Sequence, residues 1–132
     1  MKIFFDHNLS PAMARALREL FKGRHDVTWL SERFDRTTSD VDWISDLSAH
    51  GQWVVFSADR AITRRHAERG AFQQAKFVGF FLSRGLEKST VVKQLERILA
   101  NWPKIEELAS STPGGALFEL TLKTNHPKKL RA

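Results

Sequence analysis

The chain has 132 residues, of which 42% are hydrophobic and 27% are charged, and it contains no cysteine. This length favours one domain with a buried core, and the composition excludes a disordered or collagen-like chain. The absence of cysteine excludes disulfide bonds and thiolate metal sites, and it fits a reducing cytoplasm. No apolar run approaches the roughly 20 residues of a membrane helix, and the first residues read as a strand rather than a signal peptide. We therefore expect a cytoplasmic protein with no membrane partner.

The charge of the chain indicates a class of partner. The formal net charge is +6 and the isoelectric point is about 10.1. A basic surface attracts polyanions such as RNA or DNA, and this attraction weakens as salt is added. The same charge is also compatible with a soluble protein that binds an acidic protein. Composition alone leaves both interpretations open.

Predicted strands and helices alternate along the chain. Strands are predicted over residues 2–5, 25–30, 52–57, 76–82 and 116–123. Helices are predicted over residues 11–22, 39–50, 60–69, 89–101 and 104–109. This alternation is typical of a three-layer α/β/α sandwich with a mainly parallel sheet. We expect one such domain over residues 1–123 and a basic C-terminal tail over residues 124–132.

Two of the predicted strands run directly into an aspartate. Ile3-Phe4-Phe5 is followed by Asp6, and the most apolar strand is followed by Asp59. The carboxyl ends of parallel strands meet at one edge of a sheet, and this is the edge where open α/β sheets bind ligands. A third acid comes from the start of the helix between them, where either Asp40 or Asp42 could face the same place. These residues therefore form a candidate constellation if the first and third strands are neighbours.

Clustered carboxylates repel one another unless a cation neutralises them. Oxygen ligands of this kind select Mg²⁺ or Mn²⁺, which can activate a water molecule and stabilise the charge that builds on a phosphodiester. We predict that Asp6, Asp40, Asp42 and Asp59 include the metal-binding and catalytic residues. Each also has a purely structural interpretation, because Asp6, Asp40 and Asp59 could cap a turn or helix. Asp42 could simply favour the helix dipole in a first turn.

Basic side chains follow the third acid closely. Arg60 and Arg64 share a face of a predicted helix and Arg65 lies beside them. Together with Asn8, which follows the first acid, they are our candidates for contacts to the substrate's phosphates, although a solvated helix surface is the plain alternative. No Gly-rich phosphate loop, GxSxG elbow or Ser/Cys nucleophile motif is present, so those chemistries are excluded.

Several segments resemble the PIN-like domains grouped with VapC-type toxins. They are Asp6-His7-Asn8-Leu9-Ser10-Pro11, Asp40-Val41-Asp42-Trp43-Ile44, Val54-Val55-Phe56-Ser57-Ala58-Asp59, Asn101-Trp102-Pro103-Lys104-Ile105 and Phe118-Glu119-Leu120. The resemblance implies a PIN-like α/β/α fold and a metal-dependent ribonuclease that acts as the toxin of a type II toxin–antitoxin pair. It also implies a cognate antitoxin as partner, for which a helix-turn-helix protein is one candidate, and a homodimer or a hetero-oligomer with that antitoxin.

The resemblance also assigns residues to roles. Asp6 matches the acid after the first strand, Asp40 or Asp42 the acid that opens the middle helix, and Asp59 the acid after the third strand. Members of the group usually carry a fourth acid a few residues later. Here residues 60–66 contain none, and Glu68 is the nearest. The number of metal ions, one or two, therefore stays open.

The leading functional hypothesis is hydrolysis of RNA phosphodiesters by a Mg²⁺-activated water. A receiver-type phosphoacceptor module is a second hypothesis, because receivers also carry an aspartate after the third strand, and Ser83 follows the fourth predicted strand. A third is a PIN-like domain that binds nucleic acid or protein without catalysis.

Overall fold

The computed structural model describes residues 1–130 of the chain. Its strands are β1 Lys2–Phe5, β2 Asp26–Trp29, β3 Val54–Ser57, β4 Val78–Leu82, β5 Leu117–Leu120 and β6 Lys128–Leu130. Its helices are α1 Pro11–Leu20, α2 Leu30–Arg33, α3 Asp40–Ser48, α4 Ala61–Arg64, α5 His66–Ala75, α6 Arg84–Glu87, α7 Val91–Ala100 and α8 Trp102–Ser111.

All six strands belong to one sheet with the order β2-β1-β3-β4-β5-β6. Strands β1 to β5 run parallel to one another, and β6 pairs antiparallel with β5. The predicted α/β class with a mainly parallel sheet is confirmed. The strand that follows β1 in the chain, β2, lies on one side of it, and β3 lies on the other side. The strand order therefore reverses between β1 and β3. Crevices at such a reversal are where doubly wound sheets bind their ligands.

A row of phenylalanine rings crosses one face of the sheet. Phe5 stacks on Phe56 at 5.0 Å between ring centroids, Phe56 on Phe80 at 5.5 Å, and Phe80 on Phe118 at 5.4 Å. Each pair lies directly opposite in the strand register, so the stacking follows from the pairing. Helices α1, α7 and α8 bury this face.

The opposite face of the sheet is covered by α3 and α5. Phe4 stacks on Trp43 of α3 with ring centroids 4.8 Å apart, and both side chains are fully buried. Phe72 of α5 packs against Phe77 and Phe81 on the same side. Two apolar clusters on either side of one sheet give the three layers that the sequence predicts.

Some helix boundaries differ from the prediction. The helix predicted to end at Gly70 is instead two helices, and the second, α5, continues through Gly70 to Ala75 because the buried Phe72 anchors it. The predicted break at Trp102-Pro103 is confirmed, since α7 ends at Ala100 and α8 begins at Trp102 with Pro103 in its first turn, where its missing N–H needs no partner. The short helices α2 and α6 were not predicted, since one turn leaves no periodic pattern.

The segment predicted as a basic tail contributes to the sheet. Lys128–Leu130 forms β6, with Lys129 opposite Phe118 of β5. The last two residues of that segment, Arg131 and Ala132, lie outside the described residues. Among residues 1–130, none of the helices is both long and apolar enough to cross a membrane.

Gly79 of β4 and Gly70 of α5 offer a matched test of the packing. A Cβ at Gly79 would lie 2.6 Å from a ring carbon of Phe81 and 2.8 Å from one of Phe72, whereas a Cβ at Gly70 would meet no atom within 4 Å. Gly79→Ala should therefore lower the free energy of unfolding by about 1–3 kcal/mol. Gly70→Ala should raise it by about 0.5–1 kcal/mol, because alanine favours a helix interior.

Urea unfolding of the two variants beside the wild type measures both effects. Equal stability of Gly79→Ala and the wild type would contradict the close packing of the Phe72 and Phe81 rings against Gly79.

Candidate metal centre

Asp6 is held at the end of β1 as a buried carboxylate. The residue is only 1% exposed, and its backbone N–H donates to the carbonyl of Phe56 at 2.9 Å. Its Oδ1 accepts the backbone N–H of His7 at 2.7 Å, and its Oδ2 accepts the hydroxyl of Ser57 at 2.8 Å. The His7 ring nitrogen Nδ1 also lies 2.9 Å from Oδ1. These contacts replace the water that a buried charge loses, and they fix the direction of the carboxylate.

Ser57 connects the first acid to the third. While its Oγ donates to Asp6, the same oxygen accepts the backbone N–H of Asp59 at 2.9 Å. Asp59 in turn accepts the N–H of Ala61, the first residue of α4, through Oδ1 at 2.9 Å. The cap position of α4 itself is Arg60, so this bond orients Asp59 beside Asp6 without making it the cap of the helix. Ser57 is fully buried. The sequence does not identify it, because its role depends on a contact with Asp6, which lies far from it in the chain.

Asp40 reaches the same place from the start of α3. Ser39 caps this helix by accepting the N–H of Asp42 at 3.1 Å, which leaves the Asp40 carboxylate free of the capping role. Its Oδ1 accepts the indole N–H of the buried Trp43 at 2.9 Å. Asp42 is exposed, because residues two apart on a helix point in nearly opposite directions. The structure thus separates the two candidates that the sequence left open.

The three carboxylates form one group. Asp6, Asp40 and Asp59 each offer an oxygen, and these oxygens all lie within 4.8 Å of one another; Asp42 is not in this group. Burial, and then the negative charges of Asp6 and Asp59, raise the pKa of Asp40 to about 6, while the hydrogen bond from Trp43 acts in the opposite direction. A site that concentrates three hard anionic oxygens suits a divalent cation such as Mg²⁺ or Mn²⁺.

One side of the group opens into a cleft of about 330 Å³. It is lined by His7, Thr38, Ser39, Asp40, Val41, Asp59, Arg65 and Glu68. Glu68, the nearest acid after Asp59 in the sequence, therefore faces the same cleft but lies outside the group of three. Arg65 forms an ion pair with Glu68 at 3.8 Å, so this predicted phosphate ligand has a carboxylate partner within the protein.

On its other side Asp59 lines a second cleft, of about 470 Å³. Asn8 and Arg64, two of the residues predicted to contact the substrate, line it. Asn8 also joins two loops, because its Oδ1 accepts the N–H of Ala58 at 3.2 Å. Arg60 lines the cleft too, but its guanidinium pairs with Glu119 and donates to the carbonyl of Leu82. Its charge is therefore largely offset, which the sequence could not predict from residues so far apart.

A family model described as a PIN-like domain matches residues 1–84 of the chain. The chain belongs to the PIN-like domain family. The match spans β1 to the first residue of α6 and so includes all three acids of the group. PIN-like domains are commonly nucleases, and those that are nucleases generally use divalent metals. No curated protein and no solved structure matches the chain.

The raised pKa of Asp40 predicts how the stability of this PIN-like domain varies with pH without divalent ions. The pKa is about 6 in the folded protein against an ordinary value of 3.8. The folded state therefore holds this proton more tightly than the unfolded state, and stability falls as the pH rises from about 4 to about 6. Asp40→Asn removes the charge and still accepts the indole N–H. In EDTA near pH 7.5 it should exceed the wild type by on the order of 1 kcal/mol, after allowing for solvent screening.

Urea unfolding near pH 4 and near pH 7.5 measures this difference. The advantage of Asp40→Asn should disappear at the lower pH, where the wild-type carboxyl is already neutral. An advantage of the same size at both pH values would contradict the assignment.

Proposed function

We propose that this PIN-like protein is a metal-dependent endoribonuclease that acts in the cytoplasm as the toxin of a type II toxin–antitoxin pair. The observation that supports it most is the meeting of Asp6, Asp40 and Asp59 at the reversal of strand order in a PIN-like fold. A chain with a net charge of +6 places three acids together at this point. A basic surface that attracts a polyanion around an acidic site that binds a cation is the combination a nuclease needs.

Asp6, Asp40 and Asp59 would hold the ion, with Mg²⁺ as the expected species and Mn²⁺ as a substitute. When bound, such an ion supplies Lewis-acid chemistry, because it acidifies water and offsets the charge that builds on a phosphodiester. Asp6 is already oriented by Ser57 and by the backbone of His7, and Asp59 by its bond to Ala61. These bonds lower the cost of arranging the site when the ion and the RNA arrive.

The residues around the acids would position the RNA. Arg64 is exposed and has no carboxylate partner among the described residues, so its guanidinium is available for a phosphate. Asn8 offers its amide N–H groups to the same cleft, since only its oxygen is committed to Ala58. Arg65 would contribute from the other cleft in competition with Glu68. Arg60 would act through its pairing with Glu119, as a fixed part of the cleft wall.

The toxin role rests on the resemblance of the chain's motifs to VapC-type proteins and on the proposed chemistry. It requires a cognate antitoxin, with a helix-turn-helix protein as one candidate, and an assembly that is either a homodimer or a hetero-oligomer with that antitoxin. The receiver-type alternative has less support, because Ser83 accepts the N–H of Leu86 as the cap of α6. No second acid follows Asp6 in the sequence to complete a receiver's acidic pair.

Conservative substitutions in the acidic group test the proposal. Asp6→Asn and Asp59→Asn keep the shape of each side chain but remove a charge, so Mg²⁺-dependent cleavage of single-stranded RNA should fall by at least about 100-fold. Asp42→Asn is the matched control, since it removes the same charge from an exposed position outside the group, and it should cleave within about twofold of the wild type. Growth arrest on induced expression should follow the same order.

Thermal unfolding of each variant checks that the fold is intact. Cleavage that survives in folded Asp6→Asn or Asp59→Asn would exclude the metal-site assignment. A wild-type protein that cleaves no RNA but gains a stable phosphoryl group on Asp59 from a small phosphodonor would instead favour the receiver hypothesis.

A further inference from the structure

The cleft beside Asp59 contains cations that have no ion-pair partner in the described chain. Arg64, Arg84 and Lys88 all line it, and all three are exposed. None of them forms an ion pair or a side-chain hydrogen bond with another residue among 1–130. The acids that also line this cleft are Asp59, which belongs to the metal centre, and Glu87. The cleft therefore carries an excess of positive charge directly beside the candidate catalytic group.

Local structure explains why two of these cations point the same way. Ser83 caps α6 by accepting the N–H of Leu86 at 3.2 Å, and this fixes where the single turn begins. Arg84 and Lys88 are four residues apart around that turn, so their side chains share one face. The buried Leu86 holds the opposite face of the turn in the core. Arg64 then faces them from the end of α4 across the cleft.

Hydrogen bonds join the elements that carry these cations. Arg60 donates to the carbonyl of Leu82 at the end of β4 and pairs with Glu119 of β5. This ties the segment before α4 to the strand that leads into α6. The backbone segments from which the exposed cations extend are therefore connected through the sheet. A backbone that is already arranged lowers the conformational entropy lost when these side chains bind phosphate oxygens.

The two clefts on either side of the metal centre differ in charge. In the cleft that contains Asp40, Arg65 pairs with Glu68, and no other lysine or arginine among residues 1–130 lines it. In the cleft that contains Arg84, three cations without an ion-pair partner in the described part of the chain face Glu87 and Asp59, and Asp59 belongs to the metal centre. An extended polyanion laid across both clefts would therefore be attracted mainly to one of them.

We propose that Arg64, Arg84 and Lys88 form a phosphate-binding subsite that holds single-stranded RNA on one side of the metal centre. The subsite rests on the proposed ribonuclease function and names where that substrate binds. It accounts for most of the RNA affinity, and Arg65 on the other side contributes little. Glu87 weakens binding, because its carboxylate faces the same phosphates. The family model ends at Arg84, so Lys88 lies beyond the matched region.

Binding of a fluorescein-labelled oligouridylate, measured by anisotropy in EDTA, tests the subsite without any need for cleavage. The double variant Arg84→Ala/Lys88→Ala should bind roughly tenfold more weakly, and the slope of log affinity against log salt should fall by about 1.4. Arg65→Ala should change affinity by less than about twofold. Glu87→Gln should tighten binding by about two- to threefold, which is a change in the opposite direction.

The matched control is Lys22→Ala/Arg33→Ala. These exposed cations line a pocket that contains none of the residues of the metal centre, and their removal changes the net charge equally. Loss of binding in this control equal to that in Arg84→Ala/Lys88→Ala would show that only total charge matters, and it would overturn the proposal. A larger loss in Arg65→Ala than in the Arg84/Lys88 variant would overturn it as well.

The outcome is separable from that of the proposed function. If the wild-type protein cleaves no RNA but the Arg84/Lys88 variant loses binding as stated, the subsite stands and the nuclease proposal fails. If the protein cleaves RNA and the variant binds and cleaves normally, the nuclease proposal stands and the subsite is rejected.

Discussion

The arrangement of the site depends on the two hydrogen bonds of the Ser57 hydroxyl. This hydroxyl donates to Asp6 and accepts from the backbone of Asp59, so one buried oxygen sets the relation between the ends of two strands. This is possible because β1 and β3 are neighbours, with Phe5 opposite Phe56 and the Asp6 N–H bonded to the Phe56 carbonyl. The stacked phenylalanine rings below keep that register. The aromatic core thus positions the carboxylates above it.

Concentrating acids at this edge has an energetic consequence. The pKa of Asp40 is raised to about 6 by burial and by its two acidic neighbours, so its carboxyl keeps a proton to a higher pH than an ordinary aspartate does. The surrounding positive charge is then distributed unevenly. Arg60 and Arg65 are paired within the protein, whereas Arg64, Arg84 and Lys88 have no ion-pair partner among residues 1–130. The acidic group and these unpaired cations lie side by side, an arrangement that fits the proposed hydrolysis of phosphodiesters.

The sequence predicts the elements that have a strong local pattern. Asp6 and Asp59 could be identified because each follows a short apolar strand, and parallel strands bring such ends to one edge. The choice between Asp40 and Asp42 could not be made, because it depends on Ser39 taking the capping role and on Trp43 donating to Asp40. Helix capping has several candidates in a run of Ser and Asp, and only the folded chain selects among them.

Contacts between residues far apart in the chain could not be predicted from the sequence. The pairing of Arg60 with Glu119 depends on β5 lying two strands away from β3, so a residue predicted to bind substrate also has a carboxylate partner within the protein. The same sheet order brings α6 beside α4 and so adds Arg84 and Lys88 to the cleft. The continuation of α5 through Gly70 shows the related effect that burial of Phe72 overrides a weak local signal.

The central claim is that Asp6, Asp40 and Asp59 jointly hold one divalent ion. The most direct test is anomalous diffraction from crystals of the wild-type protein grown with MnCl₂. A manganese peak in contact with the carboxylates of all three residues is the predicted result. A peak bound elsewhere, or no peak between these carboxylates at saturating manganese, would contradict the account.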